Sequence, residues 1–452
     1  MTTPSEPSPA PAHRIAPPND DWSGYGFDTR QVHVGESDAH GYNARLTPIY
    51  LTAGYRFDSF QQGWDRFSGE EPGQIYSRNL NPTHLVAEQR IASLEGGAGA
   101  ILVGSGQAAI TTALLGLVGA GEHVVSTASI YGGTQTIFQR TFSRLGIEVD
   151  YVWDWADEGE WDAAIRPETK VIFTEPIPNP RNDLIDIAAV ARVARRHGIP
   201  LMVDNTLASP YLTRPIEDGA NVVVHSSTKF LTGHGAALSG AIVDGGNFDW
   251  AASSRSYPGI TEPPAAGGPS LLERYGDRAL EVYLRQGVVN DMGPALSPIT
   301  SFLLQQGIET LSLRVERHCD NARTLAFWLD EQPEVGRVDY AGLPSSPHHD
   351  LAQRIYGGRP GSVFSFSLAG GRAAAEVFYD ALRVFSRMTH LGDTRSMALH
   401  VATTTHVGFT PEHRDRLGID DGLIRLSVGI ETVDDLIADL RQALDAVRDA
   451  GL

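Results

Sequence analysis

Lysine is nearly absent from this chain. Of 36 basic residues only Lys170 and Lys229 are lysine, and the remaining 34 are arginine. Arginine serves a protein surface as well as lysine does. A Schiff base, however, needs a primary amine that can lose its proton, and a guanidinium stays charged. Lys170 lies in Pro167-Glu-Thr-Lys170 ahead of the apolar run Val171-Ile-Phe173, which reads as an exposed turn entering a strand. Lys229 follows the apolar run Val222-Val-Val-His225 through Ser226-Ser-Thr228, and Gly233 and Gly235 come soon after. A residue just past the carboxyl end of a sheet strand lies where α/β folds place ligands. A surface lysine following a strand is the competing reading.

Other residues could complete a site around such an amine. Asp204 ends the apolar stretch Ile199-Pro-Leu-Met-Val203. Beside a pyridinium nitrogen its carboxylate would keep the ring protonated and electron-withdrawing, the arrangement pyridoxal 5'-phosphate (PLP) requires; the plainer alternative is a turn or helix cap. Gly104-Ser-Gly-Gln-Ala-Ala109 puts small residues at a helix start, where backbone N–H groups suit a phosphate. It is neither a P-loop nor a dinucleotide fingerprint. Tyr131, in Tyr131-Gly-Gly-Thr134, could stack on a flat ring or be a core tyrosine. Arg425 interrupts the apolar Leu423-Ile-Arg-Leu-Ser-Val428 and needs a partner, either a substrate carboxylate or an internal acid. His348-His-Asp350 lacks the spacing of a helical metal pair and reads as a solvated loop, so no metal is expected.

The elements that must position these residues follow from periodicity. From about residue 84, helices alternate with short apolar runs at 100–103, 123–126, 149–153, 171–174, 201–203 and 222–225. Helices are expected over 84–94, 104–117, 134–145 and 187–197. Apolar strands separated by helices imply an α/β fold with a mostly parallel sheet covered on both faces. Residues 245–270, rich in Gly and Pro, read as loop, and 298–330 as one long helix or two joined ones. Strand patterns at 362–368 and 423–428 and helix patterns at 373–382 and 432–450 imply a smaller C-terminal α+β domain. The division expected is 1–80 tail and arm, 81–296 cofactor-binding domain and 297–452 C-terminal domain.

Composition excludes several classes. The net charge of −19, with no basic stretch to offset it, argues against broad binding to nucleic acid or anionic membrane. No apolar run reaches membrane-spanning length. The single cysteine, Cys319, forms no intrachain disulfide, falls within a helical pattern and reads as packing; nothing points to an oxidising compartment, and a cytoplasmic setting is expected. Residues 1–18, rich in Pro, Ser and Ala, read as a disordered tail rather than a signal peptide.

Taken in order, the motifs resemble those of the Cys/Met-metabolism PLP enzymes of fold type I. They are Ile75-Tyr-Ser-Arg-Asn-Leu-Asn-Pro-Thr83, Glu88-Gln-Arg-Ile-Ala-Ser-Leu-Glu-Gly-Gly97, Ser105-Gly-Gln-Ala-Ala109, Tyr131-Gly-Gly-Thr134, Val203-Asp-Asn-Thr206, His225-Ser-Ser-Thr-Lys229, Gly307-Ile-Glu-Thr-Leu-Ser-Leu-Arg314 and Arg425-Leu-Ser-Val-Gly-Ile-Glu431. Within that family the chain is most similar to the O-acetylhomoserine sulfhydrylases. The resemblance implies a seven-stranded sheet, Lys229 as the cofactor lysine, Asp204 on the ring nitrogen and Tyr131 on the ring face. It implies Gly106, Gln107, Ser226 and Thr228 at the phosphate, joined by Tyr76 and Arg78 reaching into a neighbouring subunit of a homotetramer. Arg425, Ser396 and Asn179 would bind the substrate carboxylate. The implied chemistry is γ-replacement: Lys229 takes the α-proton, acetate leaves the γ-carbon and sulfide or a thiol adds, giving homocysteine.

Two segments depart from the pattern. Thr389-His-Leu-Gly-Asp393 stands where the family usually carries Ala-Asn-x-Gly-Asp, and His400-Val-Ala-Thr-Thr-Thr-His406 where it carries His-Pro-Ala-Ser-Thr-Thr-His. They leave the acyl donor (acetyl or succinyl) and the nucleophile open. The alternatives are a γ-lyase, a cystathionine γ-synthase or another γ-replacement on the same scaffold, and, more remotely, a non-catalytic binding protein. Gly133 stands where typical methionine γ-lyases of the family carry cysteine, which counts against that lyase.

Overall fold

The structure is a computed structural model that describes residues 22–36, 44–265 and 267–452. The expected tail at 1–18 lies outside the described residues. Seven strands form the first sheet: β1 (Gly99–Val103), β2 (His123–Thr127), β3 (Glu148–Val152), β4 (Thr169–Thr174), β5 (Leu201–Asp204), β6 (Val222–His225) and β7 (Gly240–Asp244). Their order is β1-β7-β6-β5-β4-β2-β3. All neighbours are parallel except β7, which runs antiparallel to both β1 and β6.

The strands are apolar throughout because both faces are covered. On β4, Ile172 packs into one core while Val171 and Phe173 pack into the other, and Val223 is opposed in the same way to Val222 and Val224 on β6. The main helices are α1 (Pro82–Glu95), α2 (Gly106–Leu117), α3 (Ile187–His197), α4 (Pro298–Ile308), α5 (Leu311–Asp330), α6 (Gly371–Ala381) and α7 (Val433–Asp449). Side chains α1, α3 and α4 supply cover one face; α2 covers the other through Ala109, Ile110, Ala113, Leu114 and Leu117. Helix starts are capped locally: Asn81 accepts from Thr83 N, Ser105 from Ala108 N and Asp186 from Ala189 N.

A second sheet follows: β8 (Val335–Asp339), β9 (Val363–Leu368), β10 (Ser386–Arg387), β11 (Met397–His400) and β12 (Leu423–Ser427), in the order β10-β11-β12-β9-β8. Helices α6 and α7 cover one face, packing against Phe364, Phe366, Ile424 and Leu426. The two cores meet along α5. Its first half, Leu311 to Cys319, packs with the first sheet, and Ala322 to Leu329 packs with the second. Burial pushes the Cys319 thiol up to about 12, so it stays protonated.

Three expectations are corrected and one strand, β7, is added. Lys170 is not in an exposed turn. It is buried within β4, its Nζ 3.0 Å from Glu122 Oε1, bonded to Ser256 O and over the Tyr257 ring at 4.8 Å. The reach of a lysine stem lets a strand-edge position bury the chain and still pair the charge. Strand β7 was hidden because only Ala241, Ile242 and Val243 separate its glycine and aspartate ends. The region 245–270 is not simply loop, since Trp250 and Tyr257 are buried in mutual edge contact at 5.0 Å and a short helix spans Pro258–Thr261. The helix expected over 134–145 begins at Gly132 and widens into a π-helical turn, Ile137–Phe142, that buries both Phe138 and Phe142.

Candidate active site

Parallel strands deliver residues to a common edge. Asp204 is the last residue of β5, Lys229 lies four residues past β6, and Glu175 directly follows β4. Together with Ser105, Gly106 and Gln107 at the start of α2, they line a cavity of about 220 Å³. Tyr131, Asn179, Thr206, Ser226, Thr228 and Arg425 share its wall.

The floor is tightly packed. Asp204 Oδ1 accepts from Thr206 N at 3.0 Å and Thr206 Oγ1 at 2.5 Å. Thr206 Oγ1 in turn accepts from Ser226 N at 2.7 Å, tying the end of β5 to the turn after β6. Both bonds to Asp204 fall on Oδ1, so Oδ2 is the oxygen left for a cationic partner. Burial pushes the Asp204 carboxyl above its usual range. Glu175, fully enclosed, is pushed well above its usual range by burial and then by Asp204. Its Oε1 accepts from Tyr131 N at 2.7 Å, fixing the Tyr131 turn to the end of β4. Gly106 is obligatory at its position, because a Cβ there would lie 2.5 Å from Ser226 Cβ. Gly133 lies close to two cavity side chains: a Cβ would approach Tyr131 Cε1 at 2.4 Å and Gln107 Nε2 at 2.6 Å, so those side chains would have to shift.

The roof comes from the second sheet. Period-two alternation along β12 sends Ile424 and Leu426 into the helix-covered core and Arg425 to the opposite face. Arg425 Nη1 donates to Asn179 Oδ1 at 3.3 Å and Nη2 to His390 O at 3.1 Å, while its buried Nε has no partner. Those partners are neutral, which removes the internal salt bridge as the reason for an arginine here. Burial lowers the guanidinium to about 10. A buried cation without a counter-anion is a standing demand for one. Lys229 Nζ lies 3.1 Å from His390 Nδ1, and burial, aided by Arg425, lowers the amine to about 8.

One residue expected in the site is placed elsewhere. Ser396 is fully buried and consumed by its own network: its hydroxyl donates to Glu431 Oε2 at 2.9 Å and accepts from Gly429 N at 2.8 Å, and its N–H donates to Glu431 Oε1 at 2.6 Å. The segment that reaches the cavity is Thr389–Leu391 instead. Tyr76 and Arg78, expected at a neighbouring subunit's phosphate, lie on the exposed arm, the Arg78 guanidinium 5.1 Å from the Tyr76 ring centroid, and do not line this subunit's own cavity. Thr228 lines the cavity, but its hydroxyl hydrogen goes to Ser239 O at 3.0 Å. Sequence reasoning missed Glu175 and Thr206 on the wall, while Thr405 comes from the departing segment 400–406. Glu175 had a usable signal: it follows an apolar run just as Asp204 ends one.

Comparison with known proteins agrees with this geometry. Residues 28–445 match the family model described as Cys/Met metabolism PLP-dependent enzyme. An O-acetyl-L-homoserine sulfhydrylase of Corynebacterium glutamicum is 43% identical over 94% of this chain and 98% of its own length. An L-methionine gamma-lyase of Pseudomonas putida is 41% identical over 93% and 98%. A Campylobacter jejuni protein assigned as an O-acetylhomoserine (thiol)-lyase, solved with a pyridoxyl-lysine phosphate, superposes with a TM-score of 0.89 at 34% identity, covering 93% of this chain and all of that one. The parallel sheet, the amine and carboxyl at its carboxyl edge and similarity along almost the whole chain make one statement: the protein belongs to the Cys/Met-metabolism family of fold type I enzymes, and its cofactor is pyridoxal 5'-phosphate.

Proposed function

We propose that this enzyme catalyses γ-replacement on an O-acyl-L-homoserine, with O-acetylhomoserine and sulfide (or a small thiol) as substrates and homocysteine and acetate as products. The observation that carries the reading is the meeting, in one cavity, of a depressed amine, a buried carboxyl with a free oxygen and a buried guanidinium lacking an anion. Residues 81–296 would hold the cofactor and 297–452 would close the site.

The cavity suits the cofactor. Lys229 supplies the amine, Asp204 Oδ2 the anion for a ring N–H, Tyr131 the face and Gly106, Gln107 and Ser226 the phosphate cradle at the α2 N-terminus. Gln107 lies on the cavity wall, and its amide Nε2 is the donor it can offer a phosphate oxygen. When bound, the cofactor acts as an electron sink for the substrate α-carbon. The residues do the rest. Arg425 fixes the α-carboxylate by a two-pronged bond, assisted by Asn179. Lys229, half-neutral near pH 8, takes the proton from the α-carbon and can return it. Tyr131, anchored through its own N–H to Glu175, stands over the same space and assists departure of the leaving group. The roof strand and Leu207, Leu238 and Leu391 limit water.

Gly133, standing where methionine γ-lyases of the family carry cysteine, favours synthase over lyase. We also read the enzyme as a cytoplasmic homotetramer with shared sites. Leu51, Phe60, Trp64 and Phe67 on the arm are 65–88% exposed, more apolar surface than a lone subunit usually leaves uncovered, and Tyr76 and Arg78 emerge from the same arm. Purified enzyme given O-acetylhomoserine with and without sulfide decides the reaction. Homocysteine formed only with sulfide is expected; 2-oxobutyrate released without sulfide would make it a lyase.

A further inference from the structure

The segment Thr389-His390-Leu391 runs between two cavities. Thr389 and Leu391 line the one that holds Lys229 and Asp204. His390 lines a second, of about 390 Å³, with Met388, Met397, Asp393 and Arg395. Thr228 and Leu238 belong to both walls, so the two spaces are neighbours. The histidine is held at two points: its carbonyl accepts from Arg425 Nη2 at 3.1 Å, and its Nδ1 meets Lys229 Nζ at 3.1 Å. Its Nε2 is buried with no partner. A buried ring nitrogen left unpaired calls for an explanation, and function is one. The asparagine usual in the family at this place could accept a hydrogen bond but could not carry a proton.

We propose that His390 relays protons between Lys229 Nζ and a thiol or hydrosulfide admitted to the second cavity. The inference rests on Lys229 being the reacting amine and on the γ-replacement reading. In the forward sense the S–H bond breaks as Nε2–H forms, and the S–H electron pair stays on sulfur. The Nδ1–H bond breaks as the lone pair of neutral Lys229 takes its proton. The ring ends neutral in its other tautomer, leaving a thiolate and a lysine ammonium. No oxidant or further reactant is needed. The ring must be neutral to relay in both directions, and burial with Lys229 holds it down to about 4. Lys229, Arg425 and Arg395 face it as cations and Asp393 as an anion. Asp204 and Glu175 share the cavity of Lys229. Arg395, paired with Asp393 at 3.1 Å, places a positive charge on the wall where the thiolate forms.

The scarcity of lysine permits a direct test. Cofactor-free full-length protein labelled with [13Cε]lysine shows two side-chain resonances, assigned by Lys170→Arg. His390→Leu removes the acceptor without opening a hole and lowers the Lys229 titration midpoint by about one pH unit, the effect of losing one bond to a charged donor. An unchanged Lys170 resonance shows that the variant is folded. In the holoenzyme, His390→Ala lowers kcat for γ-replacement by about 100-fold, and imidazole, entering the vacated space, restores at least about tenfold. An unmoved Lys229 midpoint overturns the proposal, as does a full rate in His390→Ala or a failure of imidazole to rescue it. If wild-type enzyme makes no homocysteine, the γ-replacement reading fails instead, while the lysine titration still reports on the His390 contact.

Discussion

The two halves of the site are built by different means. The floor belongs to the first sheet, where Asp204, Glu175 and Lys229 lie at or just beyond the ends of three adjacent strands and are spaced by backbone ladders. The roof belongs to the second sheet and the loop at Thr389–Leu391, placed only when the two cores dock along α5. The floor keeps the family's residues; the departures His390 and Val401 are both on the roof side. We propose that the strand ends hold the chemistry common to the family and that the docked segment sets the choice of partner.

Breaking the floor should cost most. Lys229→Ala is expected to reduce turnover by about 10⁴-fold, near the upper limit for a positioned base, with folding intact by circular dichroism. Asp204→Asn should lower turnover by about 10²–10³-fold, the scale for one preorganised electrostatic group. It has a second, opposite signature. The Asp204 carboxyl of the cofactor-free protein is raised above its unfolded value, so its ionisation opposes folding at neutral pH. That penalty is full above the raised folded value and vanishes below the unfolded one. Cofactor-free Asp204→Asn should therefore melt higher than wild type at pH 7, with the gap closing as pH falls towards 4.

Roof changes should be smaller and fall on substrate use. Arg425→Lys is expected to lower kcat/KM by about 10–100-fold, because an ammonium cannot make the two-pronged bond, while the cofactor's visible absorbance is retained. Equal loss of absorbance would show that the roof also holds the cofactor and would erase the division. The smallest effect is expected at Glu175→Gln. The amide oxygen can still accept from Tyr131 N, so turnover should stay within about tenfold of wild type.

The same contrast explains what could be read from the chain beforehand. Asp204, Lys229 and the alternation of helices and strands were visible because short apolar runs end in chemically distinctive residues. β7 was not, since three apolar residues between a glycine and an aspartate look like a turn until β1 and β6 are seen to flank them. Ser396 was misplaced because its identity says nothing about Glu431, which arrives from 35 residues away and uses its hydroxyl. Lys170 looked exposed because Glu122 and Tyr257, its partners, are distant in the chain. Arg425 was suggestive as an oddity in a strand, but the neutrality of its partners emerged only from the docked sheets.

The most direct test is to reduce the holoenzyme with borohydride, digest it and identify the modified lysine by mass spectrometry. With two lysines in the chain the answer is unambiguous. The pyridoxyl group should be found on the peptide containing Lys229, with that containing Lys170 unmodified. Label on Lys170, or on neither, would contradict the assignment from which the rest follows.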